Sequence, residues 1–136
     1  MVTRVALQRL TLIPAAIGLA ALLVLTAETF DPQAELLRQT TEQLHGPQVE
    51  YAQVSKIVSA RCLSCHSTHA TDDWYPTAPK GIFFETEAQL RARADRIFLQ
   101  VVAAKSMPLA NKTRMTDDER KVVGLWLKQQ GLLQKP

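Results

Sequence analysis

The chain is short of the residues that mark several protein classes, and each shortage removes one of them. Two cysteines in 136 residues are too few for a disulfide scaffold. Five glycines and seven prolines exclude collagen-like and low-complexity sequence. Aromatic residues make up only 6%, yet the hydrophobic content of 46% is that of a folding chain rather than a disordered one. The net charge of +3 is distributed among 16 basic and 13 acidic residues with no basic stripe, so nucleic acid is not an expected partner. No internal repeat is present, and the length suits one domain with an appendage rather than a two-domain enzyme.

What the chain does have begins with an apolar run. From Leu10 to Ala27, eighteen residues pass without a charge, preceded by Arg4 and Arg9. As a helix this run would be ~27 Å long, close to the hydrocarbon thickness of a bilayer, with Arg9 able to snorkel. It has no polar face for a soluble surface helix. Leu25-Thr26-Ala27 is a poor match to a signal-peptidase site, which favours an uncleaved anchor over a cleaved signal peptide. Arginines before the run and only Glu28 and Asp31 just after it place the N-terminus inside and the rest of the chain outside the cytoplasmic membrane. The expected organisation is a cytoplasmic segment 1–9, a single transmembrane anchor 10–27, a tether 28–47 and a globular domain 48–136. Within the tether, residues 34–44 have the alternative of forming a short helix, and His45 beside Gly46-Pro47 reads as a solvated loop histidine.

The globular part is expected to be all-α, with three main helices. The first spans Val49–Arg61, with Tyr51, Val54, Ile57 and Val58 on one face. The second starts at the capping-box pattern Thr86-Glu87-Ala88-Gln89 and runs towards Lys105 with Leu90, Ala94, Ile97, Phe98 and Val101 on one stripe. The third opens at Thr116-Asp117-Asp118-Glu119, carries Val122, Val123 and Trp126, and ends at Gly131. Gly124 inside it weakens the helix by roughly 1 kcal/mol relative to Ala unless a close crossing uses it. Two long loops, 66–85 and 105–115, need something to pack against, and a large apolar cofactor is the natural filler for so small a core.

Directly after the first helix stands Cys62-Leu63-Ser64-Cys65-His66, the C-x-x-C-H attachment signature of c-type haem. Two thiols at this spacing reach two vinyl groups on one edge of a porphyrin, and the next residue lies under the ring as proximal ligand. Rival readings are weaker. A zinc site would have only His69 as an obvious fourth ligand to Cys62, Cys65 and His66. A thiol-disulfide oxidoreductase expects a βαβ context, which this helical pattern lacks, and a plain structural disulfide is similarly disfavoured. His66 needs an acceptor for its second nitrogen, and the Pro76 or Pro79 carbonyl is the expected one. Met107, held extended before Pro108, is the expected distal ligand, in preference to Met115 beside the Thr116 cap.

The order helix, C-x-x-C-H, proline loop, helix, Met-Pro loop and capped terminal helix resembles class I monohaem cytochrome c over residues 48–131. The resemblance implies a fold in which the terminal helices cross beside a haem crevice, with Tyr51, Val54 and Val58 meeting Val122 and Trp126. Residues 57–62, Ala78-Pro79-Lys80-Gly81, Ala94-Asp95-Arg96-Ile97 and residues 106–113 are similar to the C-terminal cytochrome domain of bacterial membrane-bound urate hydroxylases. In that family a multi-helix membrane portion oxidises urate and the fused cytochrome takes the electrons. With one candidate membrane helix, this chain does not itself contain a urate site. The resemblance implies one covalent haem c on Cys62 and Cys65, iron ligation by His66 and Met107, and a periplasm-facing electron carrier on the cytoplasmic membrane. Its partners would be a membrane-bound donor, urate-oxidising or another dehydrogenase, and a respiratory-chain acceptor. Lys80, Lys105, Lys112 and Arg114 flank the two loops, where some would steer acidic partners or all would form a solvated charged face. A haem-based sensor or a peroxidase-type enzyme would instead need an open distal position.

Overall fold

The structure, a computed structural model, describes residues 31–133. The expected segment 1–9 and the expected membrane anchor 10–27 lie outside the described residues. Among the described residues no helix is long and apolar enough to cross a membrane. The chain divides into two units, residues 1–33 and 34–136. The described part of the first is the start of helix α1 (Pro32–Gln43), where the Asp31 carboxylate accepts from the Gln33 amide at 2.8 Å.

The second unit is built of helices and loops, with no strand among the described residues, as expected for an all-α chain. Of the two forms considered for residues 34–44, the helix is the one observed. The remainder of α1 is a surface helix with exposed Arg38 paired to Glu35 and Glu42. Its last turn is fastened to the C-terminal helix α5 (Asp117–Gln129), because Lys128 Nζ donates to the Thr41 and Leu44 carbonyls at 2.8 and 2.7 Å. Those carbonyls would otherwise lack partners at a helix end. Leu44 and Val49 then turn into the core.

Helix α2 (Tyr51–Arg61) begins two residues later than the apolar pattern implies. The Val49 amide is taken by Gln129 Oε1 at 2.9 Å, and Glu50 forms a capping box with Gln53. Helices α2 and α5 pack together as expected, but Val123 rather than Val122 is buried in one cluster with Val54, Val58 and Trp126, Val122 being only half-buried beside it, and the Tyr51 ring lies 5.7 Å from that of Trp126. Thr116 and Glu119 form the expected capping box of α5. At its other end Gly131, at φ 64°, lets Leu132 and Gly131 donate back to Leu127 and Lys128, which closes the helix. Gly124 sits where a Cβ would lie 2.9 Å from Leu44 Cδ1 and 3.0 Å from Val102 Cγ1. The glycine that costs helix propensity therefore permits a close approach.

The second expected helix is not continuous. Helix α3 (Glu87–Arg91), with its Thr86–Gln89 capping box, gives way to a turn at Ala92 and Arg93. Helix α4 (Ala94–Ile97) follows and widens into a π-helical segment, Phe98–Ala103. Phe98, Leu99, Val101 and Val102 are all buried there, which is more than the single apolar stripe of a straight helix. Ala104 N–H donates to Leu99 O at 2.8 Å, the pairing of a π turn, and the helix ends there, so the Gln100 and Val101 carbonyls of its last turn take partners outside it.

Candidate cofactor site

Helix α2 delivers the cysteines as one compact turn. Cys62 N–H continues the helix to Val58 O at 2.8 Å, and the Cys65 and His66 amides fold back onto Cys62 O at 3.2 and 2.9 Å. Arg61, just before the turn, anchors it. Its guanidinium grips the Glu119 carboxylate with Nε and Nη2, both 3.0 Å from Oε1, and Nη1 donates to Thr113 O at 2.6 Å. Thr113 Oγ1 donates back to Arg61 O at 3.0 Å. The end of α2, the 105–115 loop and the start of α5 are thereby joined at one point.

Both cysteines are free thiols. Burial pushes the Cys62 thiol up to about 11, with the neighbouring Cys65 adding to the effect. Cys65 is also raised, first by burial and then by the Asp72 carboxylate beside it. Neutral thiols are poor nucleophiles for disulfide exchange, so the oxidoreductase reading gains nothing from this environment. Among the described residues no three His, Cys, Asp or Glu side chains converge as a metal cage requires, so the zinc reading has no donor set. His69 and His45 are both exposed, as a surface role requires.

His66 Nδ1 lies 3.0 Å from the Ile82 carbonyl, not from Pro76 or Pro79 as expected. The reason is local. The 3₁₀ turn Pro79–Gly81 consumes the Pro79 carbonyl by accepting Ile82 N–H at 3.1 Å, and the first extended residue after it, Ile82, offers its own. Phe84 N–H donates to His66 O at 2.9 Å, and its ring lies 4.9 Å from the imidazole. The imidazole is thus fixed through Nδ1, which leaves Nε2 for a further partner.

The two loops meet through Asp72. Its carboxylate is buried, accepts from the Trp74 and Tyr75 amides at 2.9 and 3.2 Å, and pairs with Lys112 Nζ at 2.6 Å. The Lys112 ammonium beside it holds the Asp72 carboxyl below the usual range. Thr71 and Asp72 N–H both donate to Ser64 O, which ties the first loop to the cysteine turn. Lys105 is likewise paired, to Asp117 at 2.7 Å, so two of the four cations expected to steer partners are neutralised locally.

Met107 and Met115 have opposite surroundings. Met115 is 4% exposed and lines a small apolar cavity of about 30 Å³ with Ile57, Val58, Cys62, Phe84 and Ile97. Met107 is 37% exposed on the loop, with its amide donating to Gln100 O at 2.9 Å and its carbonyl accepting from Arg120 Nη1 at 2.6 Å. Cys62, Cys65 and His66 therefore share one turn, whereas Met107 is held on a separate loop by contacts to the π segment and α5. Trp74 and Leu109 are further exposed apolar side chains on the same two loops.

Sequence reasoning missed Ile82, Asp72, Asn111 and Arg120. Only Arg120 has a local signature, since it falls three and seven residues before the buried Val123 and Leu127, a charge on an apolar stripe. No protein-family model matches the chain, and comparison with curated proteins and with solved structures returns no significant match.

Proposed function

We propose that this protein is a membrane-anchored monohaem c-type cytochrome of class I fold, a one-electron carrier facing the periplasm. Cys62 and Cys65 would hold the haem through thioethers, and His66 and Met107 would be the ligands to its iron. The observation that carries the reading is the cysteine turn itself. Two free thiols three residues apart are followed by an imidazole whose Nδ1 is bonded to the Ile82 carbonyl at 3.0 Å, leaving Nε2 for the metal. When bound, the haem supplies the Fe(III)/Fe(II) couple.

The chain's own residues do the rest. Ile82 O fixes the imidazole plane and raises its basicity, and the Phe84 ring packs against it. The Arg61–Glu119–Thr113 junction keeps the thiols and the 105–115 loop in fixed relation. The Met107 thioether is a soft donor that favours the ferrous state and raises the potential. The exposed apolar side chains of Trp74, Met107 and Leu109 offer surface for a flat apolar group to cover. The small apolar cavity beside Cys62, about 30 Å³, adds apolar surface from Ile57, Val58, Phe84 and Met115 next to the thiol. Residues 10–27 would anchor the carrier, raising the effective concentration of membrane partners. Those partners are a membrane-bound dehydrogenase as donor, with a urate-oxidising enzyme the narrowest form of the reading, and a respiratory acceptor.

The test is expression of the full chain with a working haem-ligation system, followed by haem staining of a denaturing gel. The wild type should stain, and the Cys62→Ala/Cys65→Ala chain should lose all the stain. A colourless, folded wild type, or undiminished stain in the double variant, overturns the proposal. Ferrous wild-type protein should refuse carbon monoxide. Rapid binding would favour a sensor or a peroxidase-type enzyme.

A further inference from the structure

A charged side chain on the buried face of a helix needs a reason to be there. Arg120 is 4% exposed on α5. Its guanidinium is satisfied by neutral oxygens: Nη1 donates to the Val101 and Met107 carbonyls, both at 2.6 Å, and Nη2 to Asn111 Oδ1 at 3.2 Å. The Asp117 carboxylate acts on it only through space, so the hydrogen bonds of this buried cation all go to neutral acceptors, a poor way to gain stability because an apolar side chain in the same place avoids the desolvation cost. The three acceptors give another reason.

Val101 O is open to Arg120 because the helical segment ends at Ala103, so the carbonyls of its last turn have no partner in the ladder. Gln100 O, freed in the same way, accepts the Met107 amide at 2.9 Å and the Ser106 hydroxyl at 3.2 Å. Met107 is therefore gripped on both sides of its Cα, through its N–H by the π segment and through its C=O by Arg120. Asn111, at φ 49°, completes the arrangement by accepting from Met115 N–H at 2.9 Å and donating to Met115 O at 3.1 Å. One planar guanidinium thus ties the π segment, the Met107 backbone and the return of the loop to α5. A lysine, with a single nitrogen, cannot span the same three oxygens.

We propose that Arg120 is the positioning residue for Met107, fixing through Val101, Met107 and Asn111 the backbone from which the thioether acts as a ligand. Its role rests on the reading of Met107 as distal ligand and deepens it.

The experiment uses the full chain with haem attached. Arg120→Met should keep the haem stain, which depends on Cys62 and Cys65, while the ferric protein loses the weak far-red sulfur-to-iron band and the ferrous protein gains carbon monoxide binding. Arg120→Lys should restore part of the band. Trypsin should cut after Lys105, Lys112 and Arg114 about tenfold faster in Arg120→Met than in wild type, because the loop has lost its charge-assisted bonds. Lys128→Met, which removes a comparable set of carbonyl contacts at α1, should lower the melting temperature and leave the band intact. Should Arg120→Met fail to accumulate, Asn111→Gly keeps the positive φ, deletes the amide acceptor and should weaken the band. An undiminished band with unchanged tryptic rates in Arg120→Met overturns the role of Arg120 alone. A wild type that stains for haem but lacks the band sinks the ligand reading, and the positioning role with it.

Discussion

Two methionines within one loop are separated by their surroundings more than by their sequence. Met115 is packed among Ile57, Val58 and Cys62, and both its amide and its carbonyl are held by Asn111. Met107 leaves more than a third of its surface to solvent. On the proposal that Met107 is the distal ligand, Met107→Ala should lower the midpoint potential by on the order of 0.1–0.2 V, within the ~0.8 V that axial ligands command, and open the ferrous protein to carbon monoxide. Met115→Ala should leave the potential unchanged and cost about 2–4 kcal/mol of stability through the cavity it creates. Redox titration and thermal unfolding of the two variants check this, and the reverse pattern would make Met115 the ligand. At this scale the cysteine turn was legible because its residues are contiguous and its spacing has a mechanical meaning. The acceptor for His66 was not, because it depends on where the Pro79–Gly81 turn ends: the turn uses the Pro79 carbonyl and passes the role to Ile82. Asn111 and Asp72 act across 4 and 40 residues of sequence, on Met115 and Lys112, and no local pattern announces either partner.

Among the elements, those with chemical punctuation were readable. Thr86 and Thr116 start their helices with the capping boxes expected of them, and Gly131 ends α5 in the left-handed conformation. The break at Ala92–Arg93 and the π winding carry no glycine or proline to mark them, and the π segment buries Phe98, Leu99, Val101 and Val102, more apolar side chains than one stripe holds. The junction of α2 with α5 gives an element-scale prediction. The Arg61 guanidinium beside Glu119 holds its carboxyl below its ordinary value of 4.5, with the Thr116 amide adding to the effect. A carboxyl lowered in the folded state contributes stability above the unfolded value, and this is lost as pH falls through the folded one. Glu119→Gln keeps the capping-box geometry and removes the charge. It should cost about 1 kcal/mol at pH 7, a reasonable figure for a partly buried bidentate pair. Urea titrations from pH 7 downward should show the two proteins converging below pH 4.5. A constant difference across that range would mean that the carboxylate is not the stabilising form.

Across the whole molecule the unevenness lies between the helices and the two loops. The α2–α5 crossing buries Val54, Val58, Val123, Leu127 and Trp126 together, whereas Trp74 on one loop is 76% exposed and Leu109 on the other 49%. The loops are held mainly by polar pins: Thr71 and Asp72 to Ser64, Asp72 to Lys112, Thr113 to Arg61 and Met107 to Gln100. Segments with few buried apolar contacts open at lower free energy than the core around them. On the proposed haem reading, a chain deprived of its attachment cysteines should therefore keep its helices while its loops exchange. In the Cys62→Ala/Cys65→Ala protein, the Thr71, Asp72, Phe84 and Met107 amides should exchange at least ~30-fold faster than in the haem-bearing wild type, equivalent to about 2 kcal/mol of added local stability. The amides within α5 should differ far less between the two proteins, because the helix crossing is complete without the group. Native-state hydrogen exchange followed residue by residue makes the comparison. Equal protection of the loop amides in both proteins would mean that the polar pins suffice, and that the exposed apolar side chains of the loops are not the surface a porphyrin covers.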